Sequence, residues 1–303
     1  MTGPIARSLK TSPVAMNKAR LIAPSIAALV LAAFLAAPGN VRAQEPSAPG
    51  WVRFAAALPD KLNRPVIAIV LDDAGLNQRL TRLAIRIGAP LTIAFMAYAD
   101  NLERQVGAAR SAGHEILLHL PMEAMNLEER TGPNALLTGL PDEELARRIE
   151  WNLDRFIGYV GVNNHMGSRF TADRPAMETF MERLAGRGLL FLDSRTTART
   201  VAEDSARAAG VPMLARDVFL DNIQTEESVQ QQLAVAEDIA RASGAAIAIG
   251  HPHAWTLAAL EAWLPGLEER GITVVPLTAI LRSRRLAQNQ ETIPTSTNNG
   301  ANQ

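Results

Sequence analysis

The strongest constraint on this chain is a series of short apolar runs separated by segments with helical periodicity. Val66–Leu71, Leu91–Met96, Ile116–Leu120, Leu189–Leu192, Ala245–Ile249 and Thr273–Val275 are near-continuous in apolar residues. A strand buried on both faces reads this way, because neither face alternates with solvent. Val211–Leu214 and Val218–Leu220 are weaker strand candidates. Between the runs, Leu145, Ile149 and Phe156 share a helical face, with Asp142 as the expected cap after Pro141. Met177, Phe180, Met181 and Leu184 make another face, with Pro175 where a first turn tolerates it. Val229, Leu233 and Ala236 follow Thr225 as cap, and Leu257, Leu260, Leu264 and Leu267 complete the set. Strands alternating with helices imply an α/β fold with a parallel sheet. Seven or eight such units in about 220 residues suggest an irregular parallel barrel, with a doubly wound open sheet as the alternative.

The polar residues fall at the carboxyl ends of these runs, where parallel α/β folds place their chemistry. Asp72 and Asp73 follow the first run. His119 lies within the third, ahead of Pro121 and Glu123. Asp193, Ser194 and Arg195 follow Leu192, Asp221 follows Leu220, and His251-Pro252-His253 follows Gly250. The stretch Gly161–Arg169, with Asn163, Asn164 and His165, reads as a polar loop after a short possible strand. Imidazoles beside carboxylates are the ligand set of zinc or a similar divalent ion. With no cysteine in the chain, any metal must be held by His, Asp or Glu. Such an ion acidifies water and polarises a carbonyl, while a carboxylate takes a proton and a histidine returns one.

Each residue also has a structural reading. Asp72-Asp73 before Gly75 suits a turn, His119 suits a hydrogen-bonded core position, and Asp193 and Asp221 suit strand-end caps. Glu123 and His253 suit solvated loops. His114, after Gly113 at a helix-to-strand turn on the opposite side, reads as structural. Convergence on one mouth carries the case for function, not any single side chain.

Charge and the chain ends bound the setting. Lys+Arg 30 against Asp+Glu 31 gives a net charge of -1, so a nucleic-acid partner is not indicated and a neutral or small partner is the expectation. Arg7, Lys10, Lys18 and Arg20 precede or open an apolar stretch, Leu21–Ala37, followed by Val41-Arg42-Ala43. This predicts a signal peptide over 1–43, with Met16 as a second possible start and an uncleaved anchor as the rival reading. Export to the periplasm or cell envelope follows, with no transmembrane domain left after cleavage. Residues 44–64, with Pro46, Pro49 and Pro59, read as a linker. Residues 65–282 form the domain, and 283–303, rich in Asn, Gln, Thr and Ser, read as a disordered tail.

Five ordered motifs resemble the divergent, YibQ-like polysaccharide deacetylases, a bacterial envelope family. They are Leu71-Asp72-Asp73-Ala74-Gly75, His119-Leu120-Pro121-Met122-Glu123, Asn163-Asn164-His165-Met166-Gly167-Ser168, Leu192-Asp193-Ser194 and Gly250-His251-Pro252. The resemblance runs from about Pro65 to Arg282 and implies an α/β fold like that of the NodB-type deacetylases, a distorted (β/α) barrel of about seven parallel strands; those enzymes remove N- or O-acetyl groups from sugars. It implies Asp72 as general base, Asp73 and His119 as ligands of a divalent metal, zinc first, and His251 as general acid. Glu123 occupies the place of the family's second histidine ligand, and His165 is the alternative third ligand. The Arg-x-Pro-Tyr motif is absent, with Arg169 the nearest basic residue, and Tyr98 and Tyr159 do not match it. Asp193 is grouped with the catalytic residues. Glu123, Asn163, Asn164, Arg169, Arg195, Asp221 and His253 are grouped as substrate contacts. The expected activity is metal-dependent deacylation of an envelope glycan or peptidoglycan fragment. The competing expectations are a non-catalytic module binding a glycan or envelope protein, and hydrolysis of another bond at the same metal site.

Overall fold

The computed structural model describes residues 48–58, 64–126 and 128–291. In chain order the elements are α1 (Gly50–Arg53), β1 (Val66–Ala74), α2 (Gln78–Ile85), β2 (Thr92–Met96), α3 (Leu102–Ser111), β3 (Glu115–Met122), α4 (Asp142–Leu153), β4 (Gly161–Met166), α5 (Arg174–Arg187), β5 (Leu190–Asp193), α6 (Ala202–Ala209), β6 (Met213–Ala215), β7 (Val218–Phe219), α7 (Glu226–Ser243), β8 (Ala245–Gly250), α8 (Ala254–Trp263), β9 (Thr273–Val274) and α9 (Leu277–Glu291). A 3₁₀ turn, Phe170–Ala172, precedes α5.

All the strands pair in parallel, in the order β6-β5-β4-β3-β2-β1-β8-β7, with β9 beside the start of β1. The two ends of that order are one stretch of chain. β6 pairs with β5 (Leu192↔Leu214), and two residues later β7 pairs with β8 (Val218↔Ala248). Between them Arg216 N donates to Asp193 O (3.0 Å) and Asp217 N donates to Ile247 O (2.9 Å). The two weak strand candidates are therefore halves of one segment that changes partner and draws the curled sheet together. With β6 and β7 counted as one stave, the sheet is the expected distorted barrel of about seven strands.

Strand alternation sorts the apolar residues into two layers. Val66, Ala68 and Val70 join Ala94, Leu117, Leu192, Leu214, Ile247 and Ile249 in the barrel interior. Ile67, Ile69 and Leu71 belong to the outer layer with Met177, Phe180, Met181 and Leu184 of α5 and Val229, Leu233 and Ala236 of α7. Each fully buried side chain of this size contributes about 1.5–3 kcal/mol of transfer free energy. Leu277, Ile280 and Leu281 of α9 belong to the interior cluster, so α9 plugs the amino-terminal end of the barrel. There the buried carboxylate of Glu115 accepts from Thr278 N (2.9 Å), Thr278 Oγ1 and Ala56 N (3.3 Å). His114 is structural at the same end, accepting from Leu91 N at Nδ1 (3.3 Å) while Nε2 donates to Ile85 O (2.9 Å).

Some expectations need correction. Gly161–Met166 is a strand rather than a loop, pairing with β3 from Leu117↔Gly161 to Met122↔Met166. Its asparagines have low strand propensity, and ladder pairing on both sides overrides it. Asp142 is the first residue of α4, not its cap. Pro141 holds the cap position without a side-chain bond, and Asp142, Glu143 and Glu144 fill the first turn, where the helix dipole favours them. Within the expected linker, Gly50–Arg53 forms a helical turn, Trp51 is buried, and its N–H donates to Gly188 O (3.0 Å). The tail does not lose structure at 283, because α9 continues to Glu291 through Leu, Arg, Ala, Gln and Glu, all good helix formers. The expected signal peptide, the rest of the linker and the last residues of the tail lie outside the described residues. No described helix is long and apolar enough to cross a membrane.

Candidate metal centre

By alternation Asp72 continues the inward series Val66, Ala68, Val70, and Asp73 would point the other way. A bulge prevents this. Leu71 pairs with Ile93 but Ala74 pairs with Phe95, so three steps on β1 oppose two on β2. Asp73 takes up the extra residue in the left-handed region (φ 55°), which Asp tolerates better than most side chains. Its carboxylate is thereby brought to the same mouth as Asp72.

Two neighbouring strands supply the imidazoles. His119 of β3 lies opposite Asn163 of β4, and His165 follows two residues later on the same strand face. Asn163 Nδ2 donates to Asp72 Oδ1 (2.7 Å), which leaves Asn163 Oδ1 to accept from His119 Nδ1 (2.8 Å). That bond places the imidazole proton on Nδ1 and turns the lone pair of Nε2 toward the mouth, the outer-sphere support that ligand histidines use. His119 Nε2 lies 3.3 Å and His165 Nδ1 3.0 Å from Asp73 Oδ1. Zinc bonds of about 2.0–2.1 Å in a tetrahedron put donor atoms about 3.3 Å apart. Asp73 Oδ1 is buried and has no hydrogen-bond partner. Three donor atoms converging on a common point, one of them an orphaned anion, fit a divalent cation held by Asp73, His119 and His165.

Electrostatics separates the two aspartates. Burial raises the pKa of Asp73, but His119 and His165 outweigh it and hold the carboxyl well below the usual carboxylate range. At Asp72 burial prevails over His119, His251 and Asn163, and its pKa is raised. One carboxylate is thus fitted to ligation and the other to carrying a proton.

Across the mouth, His251 is fixed by Asp221. Asp221 Oδ1 accepts from His251 Nδ1 (3.1 Å), and Oδ2 accepts from His251 N (2.6 Å) and Thr256 Oγ1 (3.0 Å). Gly250 permits the approach, since a Cβ there would lie 3.1 Å from Leu220 Cβ and 3.3 Å from Asp221 Oδ2. Burial alone would depress the His251 imidazole, but the Asp221 hydrogen bond and charge, with Asp72 and Asp73 behind, push it up to about 9. His251 Nε2 faces Asp73 Oδ2 at 3.9 Å. The raised pKa favours the protonated imidazole, with Nε2 turned toward the same mouth as Asp73.

The remaining expected residues have other partners. Glu123 does not join the cluster of Asp73, His119 and His165. Its Oε2 accepts from Thr138 N (2.6 Å) and Thr138 Oγ1 (2.7 Å), and Arg169 Nε sits 3.5 Å from Oε1. Arg169 also donates to Thr138 Oγ1 (3.2 Å), so both residues fasten the loop between β3 and α4. Asn163 is consumed by Asp72 and His119. Asn164 donates to Met166 O (2.6 Å) and accepts from Ser194 N (2.9 Å), tying β4 to the loop after β5. Asp193 is buried and accepts from Arg195 N (2.7 Å) and Thr200 Oγ1 (2.8 Å), which shapes that same loop. Asp221 orients His251. His253 borders the mouth, its ring 5.6 Å from that of His251 and 4.8 Å from Trp255.

Two further residues stand at the mouth, Tyr98, which the sequence motif set aside, and Arg216, which it did not single out. Tyr98 follows β2, and burial together with the negative charge of Asp73 raises its pKa. Its place after the run Leu91–Met96 was the available signal. Tyr159, by contrast, donates to Leu153 O (2.6 Å) away from the mouth. Arg216, between β6 and β7, donates from Nε to Ser194 O (2.7 Å) and lies over the Phe219 ring (5.2 Å). Its position after a weak strand candidate hid it.

Comparison with known proteins agrees with this architecture. Residues 69–281 match the model of the divergent polysaccharide deacetylases. The chain is 34% identical over 232 residues to the uncharacterized protein YibQ of Escherichia coli K12, spanning 75% of this chain and 72% of that one. It is 35% identical over 206 residues to an uncharacterized protein of Haemophilus influenzae, spanning 67% and 72%. The crystal structure of the uncharacterized protein ATU2773 from Agrobacterium tumefaciens C58 superposes with a TM-score of 0.73 at 33% identity, covering 77% of this chain and 95% of that one. This chain belongs to the divergent polysaccharide deacetylase family.

Proposed function

We propose that the protein is a metal-dependent hydrolase that removes acetyl or similar acyl groups from a carbohydrate of the cell envelope. The observation that carries this reading is the unpartnered Asp73 Oδ1 set between His119 Nε2 and His165 Nδ1. A divalent ion bound there, with zinc the first choice for these ligands, supplies Lewis acidity toward the acyl carbonyl and toward water. Asp72, held by Asn163 with its pKa raised by burial, takes the proton of the attacking water. His251, kept protonated by Asp221, donates to the departing nitrogen or oxygen. Family membership supports a carbohydrate as the carrier of the acyl group, and the expected leader supports an exported, periplasmic location.

Acetate release from acetylated chito-oligosaccharides and peptidoglycan fragments, with and without prior chelation, tests the proposal. Release that is lost on chelation and restored by zinc is the expected result. The second reading, a glycan-binding barrel without turnover, draws on Glu123 standing where the resemblance to the NodB-type deacetylases implies a histidine, and facing Thr138 rather than Asp73, His119 and His165. Glycan binding without any acetate release would establish it in place of the first. Product analysis would reveal an amide or phosphoester as the cleaved bond.

A further inference from the structure

Among the described residues some arginines have a carboxylate partner and others do not. Arg147, Arg174, Arg187 and Arg241 each have a carboxylate within ion-pair distance. Among the described residues, Arg195 and Arg216 have none. They are instead locked to each other's backbone. Arg195 Nη1 donates to Arg216 O (3.2 Å), Arg216 Nη2 donates to Arg195 O (3.0 Å), and Arg216 Nε donates to Ser194 O (2.7 Å). Arg195 adopts a left-handed backbone conformation (φ 51°), secured by its N–H on Asp193 Oδ1 (2.7 Å).

Two guanidinium groups fixed side by side repel one another. Burial and the charge of Arg195 both weaken the hold of Arg216 on its proton. The acids whose fields reach Arg216 are turned to other donors. Asp193 serves Arg195 N and Thr200, Asp72 serves Asn163, and Asp217 Oδ2 accepts from Ile247 N (2.8 Å). Beyond these backbone carbonyls, the guanidinium N–H groups of the pair have no acceptor among the described residues.

Their place relative to the metal centre is fixed by two chains of contact. Ser194, whose carbonyl holds Arg216, accepts from Asn163 Nδ2 (3.3 Å), the amide that bonds Asp72. Phe219, under the Arg216 guanidinium, meets the His251 ring edge-on at 5.8 Å. The pair thus flanks the mouth on the side of β5, β6 and β7.

We propose that Arg195 and Arg216 form a subsite for an anionic substituent, a carboxylate or a phosphate, borne by the molecule whose acyl group reaches Asp73, His119 and His165. The identity of that molecule as an acylated carbohydrate rests on the function proposed above; the anion site does not. The near-neutral charge of the whole chain conceals this local cationic pair.

Binding of inorganic phosphate and of glucuronate to the full-length chain tests the subsite by titration calorimetry at low ionic strength. Phosphate also ligates metals, so Asp73→Asn serves as the metal-free background. Saturable binding of at least one of the two anions is expected in both proteins. Which anion binds tells phosphate from sugar carboxylate as the recognised group. In the same background Arg195→Gln and Arg216→Gln should each weaken binding about tenfold or more, as the loss of a charged hydrogen bond requires. Arg195 is exposed, so Arg195→Gln keeps the test decisive if Arg216→Gln fails to fold. Arg199→Gln, which removes a neighbouring exposed charge of the same loop, should change binding less than about threefold, as expected of a screened surface charge. Absence of saturable binding by either anion would overturn the proposal, and so would equal weakening by Arg199→Gln. Absence of acetate release with intact anion binding would remove the hydrolase reading and leave the subsite standing.

Discussion

At the residue scale the site depends on groups that touch no substrate. Asn163 holds His119 and Asp72 at once. Asn163→Ala frees the His119 tautomer and is expected to lower metal affinity about 10–100-fold, measured by competition with a chromophoric chelator. Asp221 does the same for His251. Its hydrogen bond and charge raise the His251 pKa to about 9, so the acid form persists through neutral pH and is lost as pH rises through about 9. Asp221→Asn removes the anion that raises it. The alkaline limb of kcat/KM, and the His251 resonance in an NMR titration, should then move to lower pH. An unchanged limb would assign it to another group.

At the element scale the bulge in β1 and the strand character of β4 make the centre. Neither was legible from composition. Asp72 and Asp73 stood out at the end of a buried run, but ideal alternation sends them to opposite faces, and the sequence carries no mark of the bulge beyond the pair itself. Gly161–Met166 looked like a loop because Asn163, Asn164 and His165 are poor strand formers, and their backbone is held by β3 and β5, remote in sequence. The apolar strands β1, β2, β3, β5 and β8 were legible because burial on both faces leaves a continuous run. Arg216 was not, since β6 and β7 are too short to show a pattern. Gly250 is the close-packed point where β8 passes Asp221. Gly250→Ala should cost about 1–3 kcal/mol by overpacking against Leu220 and Asp221, measured by urea denaturation.

At the scale of the whole molecule, chemistry and stability occupy opposite ends of the barrel. The carboxyl ends carry Asp72, Asp73, His119, His165 and His251. The amino ends carry Glu115, His114 and the α9 plug. Burial raises the pKa of Glu115 against the opposing hydrogen bonds from Thr278 and Ala56. A carboxyl raised in the folded state favours folding when protonated. Its contribution is full below the unfolded pKa near 4.5 and is lost as pH rises through the raised folded value. Glu115→Gln removes that slope from the stability–pH curve. The amide resembles the protonated acid, whose hydroxyl likewise turns a donor toward Thr278 and Ala56, so the variant should match the wild-type chain to within about 1 kcal/mol at acidic pH, measured by urea denaturation. A stability curve with the slope retained in Glu115→Gln would place the titration elsewhere.

The proposed activity requires that Asp73, His119 and His165 together hold one divalent ion, with Glu123 outside the coordination sphere. Elemental analysis of protein purified without added metal tests it most directly, alongside circular dichroism to confirm folding. One equivalent is expected in the wild-type chain and in Glu123→Gln, with near-complete loss in folded Asp73→Ala, His119→Ala and His165→Ala. Full occupancy in His165→Ala together with loss in Glu123→Gln would contradict the account.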